Sequence, residues 1–258
     1  RVFATIKVTP DYKNILMFIE NLKSKLGLND EYDIQCGYEA GCLGYSLYNQ
    51  LIAAGVKCVI LAPTTMLTPQ GVRIKTDMRD AYMIAQCLSY GGYHAVYIPT
   101  EDDDSVKEYL RMRNDHKIAL KKIKQQINAF CIRHGFCYDG TKWTMTHLKW
   151  LKKLETRNAI YRETLNEYMA SYEEQEAKVE RYDKRIEEMA KQEKYHVKVK
   201  KLECFLGIKT HTALSLIVET GDFERFAKGN QYASYLGLAP GENSSSDSIR
   251  RLGITKAG

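Results

Sequence analysis

Across residues 151–189 twelve side chains recur at alternating spacings of three and four: Leu151, Leu154, Asn158, Tyr161, Leu165, Tyr168, Tyr172, Gln175, Val179, Tyr182, Ile186 and Met189. A repeat averaging 3.5 residues makes a helix that must bury one stripe along its whole length, and a second helix laid beside it covers that stripe best. Asn158 and Gln175 on the stripe lower stability but fix register, and the tyrosines imply a looser contact than a leucine zipper. Residues 105–134 offer one partner, a long helix with Val106, Leu110, Leu120, Ile123, Ile127 and Phe130 inward, closed by His134 and Gly135. The same stripe in a second copy is the other. The stripe is structural and carries no chemistry.

Segment 105–134 also concentrates charge. It holds Lys107, Arg111, Arg113, Lys117, Lys121, Lys122, Lys124 and Arg133 against Glu108 and Asp115. That surplus of six equals the formal net charge of the whole 258-residue chain, +6. Charge so placed points to a polyanion, and a solvated helix face is the plainer alternative. Arg111, Arg113, Lys117, Lys121 and Lys124 are the candidate nucleic-acid contacts. No apolar run is long enough to cross a bilayer and no signal peptide opens the chain, so no membrane partner is expected. The seven cysteines form no C-x-x-C pair and are odd in number, which reads as reduced, intracellular thiols.

The first hundred residues alternate strands with helices. Residues 2–8, 32–38, 56–61 and 94–98 read as strands, and helices are expected after Asp11, across Tyr45, Leu47, Leu51 and Ile52, and from Asp77 onward. That alternation argues for an α/β sheet in a three-layer sandwich.

Three acids stand out on this scaffold. Asp77 and Asp80 are three residues apart at a predicted helix start, so both carboxylates share one face near the favourable N-terminus. Glu39 stands at the carboxyl end of a predicted strand, where open α/β sheets bind ligands. With Arg73, Lys75 and Arg79 nearby, the acids could hold a divalent cation against a phosphate. A plain helix start, with Thr76 or Asp77 as N-cap, gives the same pattern.

Residues 202–216 place Gly207 between two short helices, as a helix–hairpin–helix element or a simple packing unit would. A serine-rich loop follows from Asn243. A hydroxyl there, flanked by Arg250, Arg251 and Lys256, could attack a phosphodiester while the cations steady the developing charge. A flexible loop without chemistry is the alternative.

Three stretches occur in order: Gly37-Tyr38-Glu39-Ala40-Gly41, then Lys75-Thr76-Asp77-Met78-Arg79-Asp80-Ala81, then Gly237-Leu238-Ala239-Pro240 through Ser244-Ser245 to Gly253-Ile254-Thr255-Lys256. Together they resemble the DEDD transposases of the insertion-sequence one-hundred-and-ten family, the bridge-RNA-guided serine recombinases, over nearly the whole chain. The resemblance implies an RNase H-like (RuvC-type) acidic α/β domain over 1–104, its N-terminal strand missing. It implies a basic helix and long coiled-coil insertion over 105–200, and a small, mainly helical transposase domain over 201–258. Glu39, Asp77 and Asp80 match the last three acids of the family's tetrad and would hold Mg2+. Ser245 matches the nucleophile, with Ser244 its neighbouring candidate and Ser246 where the family usually writes glycine.

The implied chemistry is serine attack on DNA, a covalent phosphoserine, then strand exchange. A structured guide (bridge) RNA would pair with donor and target DNA, so that base pairing reads sequence. Lys75, Arg250, Arg251 and Lys256 join the expected nucleic-acid contacts. A dimer or tetramer is expected, because the stripe needs a partner and recombination needs paired sites, in a prokaryotic, nucleoid-associated, cytoplasmic setting. No residue matches the family's first aspartate, since Asp11 falls at a helix start. The chain starts at Arg1, and the family usually continues past Gly258, so a longer natural protein is expected. The rival readings are a metal-dependent junction nuclease using the carboxylates alone, and a non-catalytic coiled-coil scaffold that binds nucleic acid.

Overall fold

The computed structural model describes residues 2–27, 32–63, 66, 76–242 and 250–254. By internal contact the chain forms two units, residues 1–98 with 226–258, and residues 99–225.

The first unit is a small layered α/β arrangement. Helix α1 (Tyr12–Leu26) starts where Asp11 accepts the Lys13 N–H at 3.0 Å, and ends at Gly27 in the left-handed region at φ 63°. Strand β1 (Gln35–Glu39) runs parallel to β2 (Lys57–Leu61), with α2 (Ser46–Ala53) as the crossover between them. Side chains alternate across such strands. Cys36, Tyr38 and Cys58 face Tyr12 and Ile15 of α1 and Leu47 and Leu51 of α2. Val59 and Leu61 face the other layer, α3 (Asp77–Tyr90), through Ile84, Cys87 and Leu88. Three layers are therefore present, about a sheet much smaller than expected.

Two predicted strands are absent. Residues 2–8 pair with no strand among the described residues, and Val2, Phe3, Ile6 and Val8 stay exposed. Alternation prepares a segment for a ladder, but a ladder needs an edge to join. Residues 94–98 make one antiparallel bridge, Leu61 to Ala95, with hydrogen bonds from Ala62 N–H to His94 O and from Val96 N–H to Ile60 O. The strand expected over 32–38 begins only at Gln35. A second sheet pairs β3 (Pro240–Glu242) antiparallel with β4 (Arg251–Ile254), and α9 (Gly229–Tyr235) precedes it.

The second unit is helical: α4 (Glu101–Arg133), α5 (Met145–Lys153), α6 (Ala159–Ala190), α7 (Glu193–Glu203) and α8 (Thr210–Thr220). Helices α4 and α6 lie side by side and antiparallel. Arg113 meets Asp183, His116 meets Gln175, and Phe130 meets Tyr161 and Tyr168, so one helix counts up as the other counts down. The expected inward residues of α4 are buried, save half-buried Ile123. The stripe's partner is thus the helix of the same chain, and the stripe alone does not call for a second copy.

Two apolar cores sit along the pair. One joins Val106 and Leu110 to Ile186, Ala190, Tyr195, Val199 and the α8 residues Leu214 and Ile217. The other joins Leu120, Ile127 and Phe130 to Leu151, Leu165, Tyr172 and Val179. Between them lies a polar layer. Arg113, 8% exposed, donates to Asp183 at 2.7 Å, and His116 Nδ1 lies 2.9 Å from the Gln175 amide oxygen.

The stripe is not continuous as expected. It breaks at 154–158, where Asn158 leaves it and caps α6, its side chain accepting the Ile160 N–H at 2.8 Å. An asparagine oxygen satisfies a first-turn amide better than it occupies a seam. Helix α4 likewise starts earlier, because Thr100 caps it through the Asp103 N–H. Its first turn therefore adds Glu101, Asp102, Asp103 and Asp104, which suit a helix N-terminus and cut the helix's surplus to two positive charges. Helices α7 and α8, expected to straddle a domain boundary near residue 200, pack together in the first of the two cores.

Candidate functional site

Helix α3 is held by a cap that fixes both aspartates. Thr76 is extended (φ −142°), its hydroxyl accepts the Arg79 N–H at 3.4 Å, and its carbonyl accepts the Asp80 N–H at 3.0 Å. Asp77 and Asp80 therefore stand in the first turn, at the positive end of the helix dipole. Thr76, of the two residues considered, is the cap. Asp77 is exposed and Asp80 half-buried.

Glu39 ends β1, half-buried, and the Ala40 N–H continues the ladder to Leu61 O at 2.9 Å. Helix α3 runs antiparallel to β1. Leu88 lies against Gly37, and Tyr93, just beyond the helix, meets Gln35 through a 3.2 Å hydrogen bond. From that crossing, Asp80 lies roughly 12 Å back along the helix at 1.5 Å per residue, and Glu39 roughly 7 Å forward along the strand at 3.3 Å per residue. Both displacements point the same way, so the three acids share one end of the layered unit.

They are not gathered into a chelate. Among the described residues no three His, Cys, Asp or Glu side chains are grouped closely enough to hold a metal ion. The donor chemistry nonetheless suits magnesium, which is commonly held by one or two carboxylates together with substrate phosphates and water. Asp77 and Asp80, one helical turn apart, supply such a pair.

Ser244, Ser245, Lys75 and Lys256 lie outside the described residues. The residues flanking the serine loop are described: β3 and β4 pair, with Glu242 opposite Arg251, which draws the two ends of the loop together. Arg250 and Arg251 are exposed there.

The five candidate cations of α4 have separate fates. Arg111 is tied to Glu108 and Glu219, each at 3.1 Å. The two carboxylates hold its guanidinium above its ordinary pKa against the opposing effect of burial. Arg113 is buried against Asp183. Lys124 lies over the rings of Trp143 and Tyr172, at 5.2 and 5.4 Å. Lys117 and Lys121 are exposed. Sequence alone could not separate them, because positive charge does not reveal which cation an acid on another helix will claim. Sequence reasoning also passed over Phe205 and Leu206, which stand exposed in the turn between α7 and α8. Their signal was an apolar pair beside a turn glycine with lysines on both sides.

All seven cysteines are free, and burial pushes the Cys58 thiol up to about 11. No helix among the described residues is long and apolar enough to cross a membrane.

The profile described as "Transposase IS116/IS110/IS902 family" matches residues 199–258. "Transposase for insertion sequence element IS1533" of Leptospira borgpetersenii is 36% identical over 219 residues, covering 83% of this chain and 62% of that protein. "Putative transposase y4qE" of Sinorhizobium fredii is 33% identical over 222 residues, covering 86% of this chain and 54% of that protein. "Transposase for insertion sequence element IS1111A" of Coxiella burnetii is 25% identical over 214 residues, covering 76% and 55%. The chain thus spans between 54% and 62% of these relatives' length.

Proposed function

The chain belongs to the IS116/IS110/IS902 family of transposases, and from that premise we propose that it is the catalytic part of an RNA-guided DNA recombinase. The observation that carries the reading is the shared placement of Glu39, Asp77 and Asp80 toward one end of an α/β layer, the arrangement from which an RNase H-like acidic site would be assembled with metal and phosphate. In the proposed reaction the Ser245 oxygen bonds to a DNA phosphorus while one deoxyribose oxygen departs with a proton. A hydroxyl of a second strand then reverses the exchange and frees the serine. Arg250 and Arg251 beside the serine loop would balance charge on the non-bridging oxygens of the pentacoordinate phosphorus. Mg2+, held by the carboxylates and a phosphate, would supply Lewis-acid stabilisation.

A structured guide RNA is proposed to select donor and target DNA by base pairing, with Lys117 and Lys121 of α4 gripping its phosphates. The assembly is proposed to be a dimer or tetramer, on the ground that two DNA sites must be exchanged together. A cytoplasmic, nucleoid-associated location follows from those partners.

The test is recovery of a covalent protein–DNA adduct and mapping of the attached residue. Ser245→Ala should abolish the adduct and cleavage together. Cleavage that survives Ser245→Ala but is lost in Asp80→Asn would establish the carboxylate-only nuclease instead. Binding without any cleavage, unchanged by either substitution, would leave a scaffold.

A further inference from the structure

The turn between α7 and α8 carries an unusual pair. Leu206 is 105% exposed and Phe205 63%, although both are large and apolar. Water disfavours such side chains, so surfaces display fully exposed ones at a turn tip chiefly where a partner covers them. The turn that presents them is braced at its base. Glu203, the last residue of α7, accepts from Thr210 Oγ1 at 2.7 Å and from Lys200 Nζ at 2.8 Å. Above it the Phe205 N–H donates to Leu202 O and the Ile208 N–H to Phe205 O, each at 3.1 Å, while Gly207 takes φ 88°. Ile208 packs down into the core shared with α4 and α6, while Phe205 and Leu206 before the Gly207 turn stand outward. The pair is held out by hydrogen bonds and packing.

The surroundings indicate what it meets. Lys198, Lys201 and Lys209 are exposed on both sides of the turn, and Glu203, the acid there, is engaged by Lys200 and Thr210. An apolar tip between cations suits a polynucleotide, where phosphates meet lysines and an apolar side chain enters between bases and opens the stack.

We propose that Phe205 and Leu206 form a wedge that enters a base step of bound duplex DNA, with Lys201 and Lys209 seating the flanking phosphates. This rests on the nucleic-acid reading above, yet fails separately from it. The experiment uses the full chain and two duplexes, one DNA and one RNA, each carrying 2-aminopurine, whose fluorescence rises when its neighbours unstack. The wild type should raise the signal several-fold on binding. Phe205→Ala/Leu206→Ala should bind with affinity within a few-fold of wild type and lose most of that rise. Lys209→Ala should weaken binding and lower its salt dependence by about one ion. A rise on the DNA duplex is the expected result, and a rise on the RNA duplex alone would overturn the assignment to DNA.

An equal 2-aminopurine rise in the double variant would overturn the wedge while leaving the proposed function standing. A wild type that binds neither duplex would overturn both. If the double variant instead lowers the oligomeric state seen by light scattering, with the fluorescence rise intact, the pair packs against a second copy and the wedge is wrong. Both substitutions sit on the surface, so circular dichroism of the double variant should match wild type.

Discussion

Arg113 and Asp183 bridge α4 and α6 between two apolar cores, and the two ends of that bridge should fail very differently. The Arg113 side chain is 10% exposed and that of Asp183 42%. Removing the carboxylate by Asp183→Ala leaves a guanidinium buried with only a 3.3 Å contact to Asn114. Breaking a fully buried pair costs 3–5 kcal/mol, and water reaching the emptied side of this one sets the expectation at about 3 kcal/mol. Removing the cation by Arg113→Met leaves an aspartate that water can solvate and adds apolar volume between the cores. That change should cost about 1 kcal/mol or less.

Both tryptophans, Trp143 and Trp150, lie in this helical unit, so their fluorescence during urea unfolding reports on it selectively. With a slope of about 1.5 kcal/mol per M, Asp183→Ala should lower the midpoint by about 2 M and Arg113→Met by less than about 0.7 M. The same Arg113→Met variant should bind DNA and RNA with unchanged salt dependence, because its guanidinium faces a protein carboxylate. An Arg113→Met midpoint as low as that of Asp183→Ala, or a salt slope lower by about one, would refute this account.

Lys117→Ala and Lys121→Ala should each lower the salt slope of nucleic-acid binding by about one, measured by fluorescence anisotropy between 50 and 200 mM salt. A methyl added at Gly37 would lie 2.9 Å from Leu61 Cδ1 and 3.1 Å from both Leu88 methyls. Leu61 is fully buried, so Gly37→Ala should destabilise the layered unit by about 1–3 kcal/mol. Faster amide exchange across β1 and β2 by mass spectrometry should record it. Burial, aided by Lys142, holds His147 below the ordinary imidazole pKa. As pH falls below about 6.5 the unfolded chain takes up a proton that the folded one resists, so stability should be level above about pH 7 and decline below pH 6.5. His147→Gln should make that decline shallower by tryptophan fluorescence; His211, also held low chiefly by burial, contributes in the same direction.

How far the fold could be read in advance depended on whether local chemistry or distant pairing decided each element. The first turn of α3 is local, since Thr76, Asp77 and Asp80 lie within one turn, and sequence placed them correctly. The inward face of α4 was equally legible, because Leu110, Leu120, Ile127 and Phe130 follow helical spacing whatever they touch. The strand assigned to residues 2–8 failed because alternation says nothing about an available partner edge. Asn158 was misplaced on the stripe because its spacing fitted, while the cap it makes with Ile160 depends on where the chain enters the helix. The burial of Arg113 was invisible for the same reason as its partner, since Asp183 lies seventy residues away. For the acids, sequence supplied their identity, and the antiparallel run of α3 against β1 supplied the common end they occupy.

Helix α4 runs unbroken for 33 residues, a length of roughly 50 Å. Because α6 lies along it as a brace, the pair is a strut of fixed span. On the proposed nucleic-acid reading, grips near the α5 end and near the α7–α8 end would stand about fifteen base pairs apart on straight duplex at 3.4 Å per pair. Such a strut converts chain length into a ruler: shortening both helices by two turns would bring the gripped positions about 11 Å closer.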